Sequence, residues 1–146
     1  MISLDFTFYS LEITRKRFTA LIDKLSIEQL NKIPEGFKNN VAWNYGHCLA
    51  TQQILIYRNS GCETPIETRL IDRFKKGTSP ESLVSKNEIE ELRSLMVSTA
   101  KRLKTDFNND QFKNYKAYKT SFGVKLNTIE DALQFNVIHE GLHLGY

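Results

Sequence analysis

Three histidines are the residues of this sequence whose type and spacing could support chemistry. His139 and His143 lie four residues apart, so in a helix they share one face and can hold the same metal ion. His47 lies within another helical pattern, on the face that also carries Trp43 and Ala50. Packed helices lie about 8–10 Å apart, so imidazoles from two helices can meet at one ion. We therefore predict a divalent metal site formed by His47, His139 and His143.

The alternative for each histidine is a hydrogen-bonded core residue that binds no metal. Buried imidazole nitrogens need partners, so three inward imidazoles without a ligand would be costly in a small protein. Three protein ligands would leave coordination positions open, which is typical of catalytic rather than structural zinc. Such an ion could activate a water molecule or bind a thiol as thiolate. Imidazole suits zinc, nickel, iron and copper alike, so the residues alone leave the metal open.

The segment from His139 to His143 also reads HExxH, the helical motif of many zinc peptidases, in which the glutamate is the general base. Those enzymes take a third ligand downstream, whereas the remaining histidine here is upstream, at His47. A peptidase is therefore the less favoured interpretation. Glu140 is still the nearest candidate base. It follows His139 by one residue, about 100° around a helix, so the alternative is an exposed or helix-pairing acid.

Residues one turn before the candidate ligands could support them. Asn44 and Asn136 each precede a histidine by three positions, so we expect them to line the pocket or to orient an imidazole. Trp43 is predicted to be both a core residue and a pocket wall. Cys48 directly follows His47 and points elsewhere, so we interpret it as a small buried hydrophobe.

Hydrophobic spacing and capping residues predict the helices that must position these side chains. Ser26, Ser85 and Thr128 each stand three residues before a capping partner, and Asn40 is a further expected N-cap. No stretch alternates convincingly with a period of two. We therefore predict an all-α fold, a four-helix bundle with long crossover connections, as one domain over residues 1–146. The long helices are expected over about residues 4–25, 41–59, 85–107 and from 128 onward, with a short helix near 67–74.

Composition excludes several other classes of protein. Hydrophobic residues make up 40% and charged residues 25% of the 146 residues, as in ordinary globular domains. No run approaches the roughly 18 apolar residues of a membrane helix. Residues 1–17 lack the apolar stretch of a secretory signal. The two cysteines, Cys48 and Cys62, form no disulfide framework, so a cytoplasmic location is expected.

The segment over residues 101–125 favours a rival function. It carries seven basic and two acidic residues interleaved with aromatic ones, a composition that can bind single-stranded nucleic acid. The favoured alternative is that its aromatic side chains fix a long loop to the bundle or roof the metal pocket, with its lysines in water. The net charge of +3 is too mild to indicate nucleic acid. We therefore expect a small-molecule partner, and neither nucleic acid nor membrane.

Three segments of the chain resemble the DinB-like proteins, a family of metal-binding four-helix bundles. They are Trp43 to His47, Phe74 to Pro80, and His139 to Tyr146, and the resemblance covers essentially the whole chain. It implies one divalent metal ion, usually zinc or nickel, held by His47, His139 and His143. Many members form homodimers. Some are S-transferases that use low-molecular-weight thiols such as bacillithiol, or related mycothiol-dependent isomerases, and the family name does not imply DNA binding.

Together, the residues and the resemblance favour a metal-dependent enzyme. The expected activity is a thiol-dependent S-transferase or a hydrolase acting on small molecules, with zinc or nickel preferred and iron as a further candidate. The alternative is a metal-binding or interaction bundle without catalysis.

Overall fold

The computed structural model describes residues 3–146 of the chain. These residues contain six α-helices and one short hairpin. Four of the helices are long and form a bundle, which confirms the predicted all-α class. Among the described residues, no helix combines the length and apolar character needed to cross a bilayer. The helices are α1 (Asp5–Ile22), α2 (Ile27–Asn31), α3 (Val41–Gln52), α4 (Thr68–Phe74), α5 (Lys86–Asn108) and α6 (Ile129–Gly145).

Side-chain caps set the first residue of α2, α3, α5 and α6. Ser26, Ser85 and Thr128 each form a capping box with the residue three positions later. Asn40 accepts a 2.8 Å hydrogen bond from the backbone N–H of Trp43. Such a cap stabilises a helix by about 1 kcal/mol. All four predicted caps are confirmed, because capping depends mainly on a few consecutive residues.

The helical path of α3 continues beyond its regular α-helical part. A π-helical turn over Gln53–Tyr57 and a 3-10 turn over Arg58–Ser60 extend it to Gly61, whose φ of +71° ends the helix. The predicted helix over 41–59 therefore spans this whole stretch. The π-helical turn is wider than an α-helical turn because it contains one more residue. At its start, the consecutive residues Gln52 and Gln53 are both fully buried.

The order of the helices around the bundle requires crossing connections. Helices α1 and α3 each pack against both α5 and α6. This places α5 and α6 at opposite corners, although they are consecutive long helices in the sequence. The segment between them therefore crosses one end of the bundle, as the sequence predicts for at least one connection.

A layer of polar side chains separates two apolar clusters in the interior. One cluster surrounds Phe18, Trp43 and Phe74, and the other surrounds Phe8 and Tyr57. Each cluster supplies the hydrophobic burial that holds the helices together, at about 25 cal/mol per Å². The buried polar residues near the middle of the helices are Arg15, Gln52, Gln53, Thr99, Asn136, His139 and Glu140.

The connection between α5 and α6 contains more regular structure than the sequence indicates. Strand β1 (Tyr118–Lys119) pairs antiparallel with β2 (Lys125–Leu126), and Tyr118 lies opposite Leu126. The long loop expected in this segment therefore contains a short hairpin. Two-residue strands are too short to give a period-2 pattern, so a hairpin of this size cannot be detected from hydrophobic periodicity.

Candidate metal centre

The structure brings the three histidines together from two helices. His47 lies on α3, and His139 and His143 lie one turn apart on α6. One nitrogen from each imidazole lies within 4.8 Å of the other two. The Nε2 atoms of His139 and His143 are 3.1 Å apart. The bundle thus places three nitrogen donors around one point.

Hydrogen bonds fix the orientation of two of these rings. His47 Nδ1–H donates to the carbonyl oxygen of Phe74 at 2.7 Å, and His143 Nδ1–H donates to Asn44 Oδ1 at 2.6 Å. Both acceptors are oxygens, so the proton of each neutral ring lies on Nδ1. Each Nε2 then carries a lone pair, which is the arrangement of a metal-binding imidazole with an outer hydrogen-bond partner.

His139 completes the donor set in a different way. Its Nδ1 is buried and has no hydrogen-bond partner within the described chain, while its Nε2 faces the Nε2 of His143. Two lone pairs at this distance would repel, so either a proton or a cation must lie between the rings. The buried, convergent nitrogens fit a divalent ion of the kind that prefers imidazole.

Burial keeps all three histidines neutral at physiological pH. Desolvation, followed by the effects of the nearby His143 and His47, lowers the pKa of His139 to about 3. Desolvation, followed by the effect of His47, lowers the pKa of His143 to about 4. The pKa of His47 is also lowered by burial, against the opposing effect of its hydrogen bond to Phe74. Metal binding requires neutral imidazole. At pH 7 the three rings are already neutral, so they can bind an ion without losing a proton first.

The turn after α4 locks His47 in place. The indole of Trp43 stacks on the His47 ring with 4.4 Å between centroids, and its Nε1–H donates to Thr78 Oγ1 at 3.0 Å. Gly46 allows the ring of Phe74 to approach α3, since a Cβ at position 46 would lie 2.5 Å from Phe74 Cγ. The missing side chain at Gly46 thus brings the carbonyl of Phe74 within reach of His47.

The two asparagines have different surroundings. Asn44 orients an imidazole, as expected. The ring is that of His143 on the neighbouring helix α6, and not that of His47 on the same helix as Asn44. Its amide nitrogen donates to Asn39 Oδ1 and to the carbonyl of Asn40, which fixes Oδ1 as the acceptor for His143. Asn136 is fully buried and donates to Glu140 Oε1 at 3.0 Å.

Glu140 lies in the polar layer of the core, where it pairs with Arg15. Arg15 Nη2 donates to Oε1 at 2.7 Å, and Arg15 Nε donates to Oε2 at 2.9 Å. The same guanidinium also donates to Gln52, Thr99 and the carbonyl of Met96. Both carboxylate oxygens are thus engaged inside the protein. The role of general base stays a prediction, and this geometry favours the structural alternative.

An open cavity of about 500 Å³ adjoins the three histidines. The hairpin connection covers part of it, as the sequence interpretation of a pocket roof suggests, through Tyr118, Thr120, Ser121 and Phe122. Sequence reasoning missed Thr51, whose hydroxyl lies 3.3 Å from His47 Nε2, and Lys76. Thr51 follows His47 by four residues on α3, so helical spacing could have identified it. Cys48 is fully buried, as predicted.

Comparison with protein families agrees with this fold. The family model of the DinB superfamily matches residues 10–146. The chain therefore belongs to the DinB superfamily. A search of curated proteins finds no significant match. The family and the cluster of three histidines are together compatible with a metal-binding protein.

Proposed function

We propose that this protein is a metal-dependent enzyme that activates a small-molecule thiol for transfer to an electrophile. The observation that carries the proposal is the convergence of three neutral imidazoles at the wall of an open cavity. Zinc or nickel is the proposed ion, with iron as a further candidate, because imidazole binds all three. The enzyme would be cytoplasmic and would act on small molecules, with neither nucleic acid nor membrane as partner. A homodimer, the state implied by the family resemblance, is the proposed assembly.

The metal ion, when bound, would lower the pKa of the thiol, so that the sulfur is nucleophilic at neutral pH. The chain itself holds the three ligand rings through Phe74, Asn44 and helix α6. Aromatic side chains around the cavity would exclude water from the reacting sulfur. In the proposed reaction, the sulfur forms a bond to an electrophilic carbon. The leaving group departs with the bonding electrons, and the thiol proton passes to solvent.

The site supports thiol transfer better than the chemistry of an HExxH peptidase. Such a peptidase needs the glutamate of its motif as a base beside the nucleophilic water. Glu140 is the predicted base, but its two oxygens accept hydrogen bonds from Arg15 in the core. Within residues 3–146, the lining of the cavity includes no aspartate or glutamate. A thiol whose pKa is lowered by a metal does not need such a base.

The proposal is tested by incubating the metal-loaded protein with a panel of small thiols and an aryl halide. Thioether product is measured by mass spectrometry. We expect product above the uncatalysed rate with wild-type protein, and a return to that rate after chelation or in His139→Ala. Metal-loaded protein that forms no product with any thiol would instead support the non-catalytic metal-binding alternative.

A further inference from the structure

The charged side chains that line the cavity have one sign. Lys76 lines the cavity, and no aspartate or glutamate of the described chain does. Imidazole is neutral or cationic and carries no negative charge, so the three histidines do not offset a cation. A divalent ion held by neutral ligands keeps its charge of two. Such a cavity attracts anions and disfavours cationic ligands.

The turn that carries Lys76 is attached to the helix that carries His47. The carbonyl of Phe74 accepts from His47 Nδ1–H, and Thr78 Oγ1 accepts from the indole of Trp43. Thr78 also donates to the carbonyls of Arg73 and Lys75, which closes the turn. Lys76 lies between these two attachment points. Its backbone is therefore fixed relative to the metal centre, at the edge of the same cavity.

Lys75 and Lys76 are adjacent but have different surroundings. Lys75 Nζ lies 2.8 Å from Asp72 Oδ1 in an ion pair on the surface of α4. Lys76 makes no ion pair with any residue of the described chain, and it lines the cavity. An ammonium group beside a cavity without aspartate or glutamate side chains can bind an anionic group of a ligand.

The remaining walls of the cavity are mainly apolar and aromatic. They would contact a flat or aliphatic body between the metal centre and Lys76, because apolar walls with a few polar groups are typical of small-molecule sites. Polar groups are few and include the hydroxyls of Thr51 and Thr120. The aromatic residues of the lining are Trp43, Tyr118, Phe122, Phe135 and Tyr146.

We infer that the cavity selects organic anions with an apolar body, one donor atom facing the three histidines and a separate anionic group paired with Lys76. A mercapto-carboxylate is the simplest ligand of this class. The inference rests on the proposed function, because it assigns the ligand class of the same site.

Binding of two matched probes tests the inference without turnover. The probes are 4-(mercaptomethyl)benzoate and its uncharged amide, added to the zinc-loaded protein. Trp43 is the single tryptophan and lines the cavity, so its fluorescence reports occupancy. We expect the benzoate to bind about fivefold more tightly than the amide, the effect of one partly exposed charge pair. The preference should shrink at high salt.

Variants of the two lysines locate the anion. Lys76→Met should remove the preference for the benzoate and leave the affinity for the amide unchanged, and Lys76→Arg should restore it. Lys75→Met is the matched control and should behave as wild type. Equal affinities of the wild type for the two probes, no binding of either probe, or a preference that persists in Lys76→Met would overturn the inference.

The same samples separate this inference from the proposed function. Binding with a benzoate preference but without thioether product would leave the ligand class standing and remove the transferase. Product formation without any preference for the benzoate would leave the transferase standing and remove the ligand class. Zinc content, measured in each variant, should stay at the wild-type level because Lys76 is not a ligand.

Discussion

Asn44 on α3 holds the imidazole of His143 on α6 through a hydrogen bond of 2.6 Å between Asn44 Oδ1 and His143 Nδ1. The two residues are 99 positions apart in the sequence. This contact links the two helices that supply the candidate metal ligands. It also sets which nitrogen of His143 faces the cluster.

Replacing Asn44 should weaken metal binding. Asn44→Ala removes the acceptor that fixes His143, so we expect a loss of about 10- to 100-fold in metal affinity, measured by competition with a chelator. Asn44→Asp keeps an acceptor and should retain affinity near the wild-type value. Asn114→Ala is the control, since Asn114 is exposed and does not line the cavity. Unchanged affinity in Asn44→Ala would show that the ring needs no such partner.

Two helical glycines should respond in opposite ways to alanine. In Gly46→Ala the new Cβ would overlap the ring of Phe74, so we expect destabilisation by about 1–3 kcal/mol and weaker metal binding. Gly141→Ala is the control, because nothing lies within 4 Å of a Cβ there. It should stabilise the protein by about 0.5–1 kcal/mol through helix propensity. Chemical denaturation measures both changes, and equal effects of the two substitutions would contradict the packing argument.

Breaking the buried ion pair should cost much more stability than breaking an exposed one. Glu140→Ala leaves the guanidinium of Arg15 buried without its carboxylate, which costs about 3–5 kcal/mol. Asp72→Ala breaks the exposed pair with Lys75 and should change the stability little, because water screens an exposed ion pair. Denaturant unfolding of both variants gives the comparison. The double variant Arg15→Met with Glu140→Leu should be more stable than Glu140→Ala, and a further loss would argue against an unpaired charge as the cause.

The metal-free protein should lose stability as the pH falls. The folded-state pKa values of His139 and His143 are about 3 and about 4, below the ordinary value of 6.5. The unfolded chain therefore binds more protons than the folded chain in this range, so stability is complete above pH 6.5 and declines towards pH 4. Denaturation with chelator present would measure this slope. The variant His139→Leu with His143→Leu should have a flatter profile, and identical slopes would contradict the assignment.

Much of the fold follows from local sequence, and the exceptions have physical reasons. The caps at Ser26, Ser85 and Thr128 are local interactions, so they could be predicted from neighbouring residues. Arg15 could not be recognised as buried, because an arginine in a helix usually faces solvent. Its spacing of four residues from Leu11 and three from Phe18 places it on the core face, but only its partner Glu140 on α6 makes burial tolerable.

The convergence of the three histidines could be predicted from the sequence, but the surroundings of the candidate site could not. Helical spacing predicted that His47, His139 and His143 could converge, and the structure places their nitrogens together. The carbonyl of Phe74 and the side chain of Lys76 reach the site through a turn distant in sequence from His139 and His143. Nothing local to those histidines indicates that turn. The position of Glu140 likewise depends on how α6 is rotated against α1, which spacing alone does not fix.

The most direct test of the central claim is the metal content of tag-free protein, measured by mass spectrometry for wild type, His47→Ala and His143→Ala. We expect about one divalent ion per wild-type chain, most of it lost in both variants. Circular dichroism would show that the variants remain helical. A wild-type protein that stays metal-free after incubation with zinc or nickel would contradict the metal site, and the histidines would then be core residues of a helical bundle.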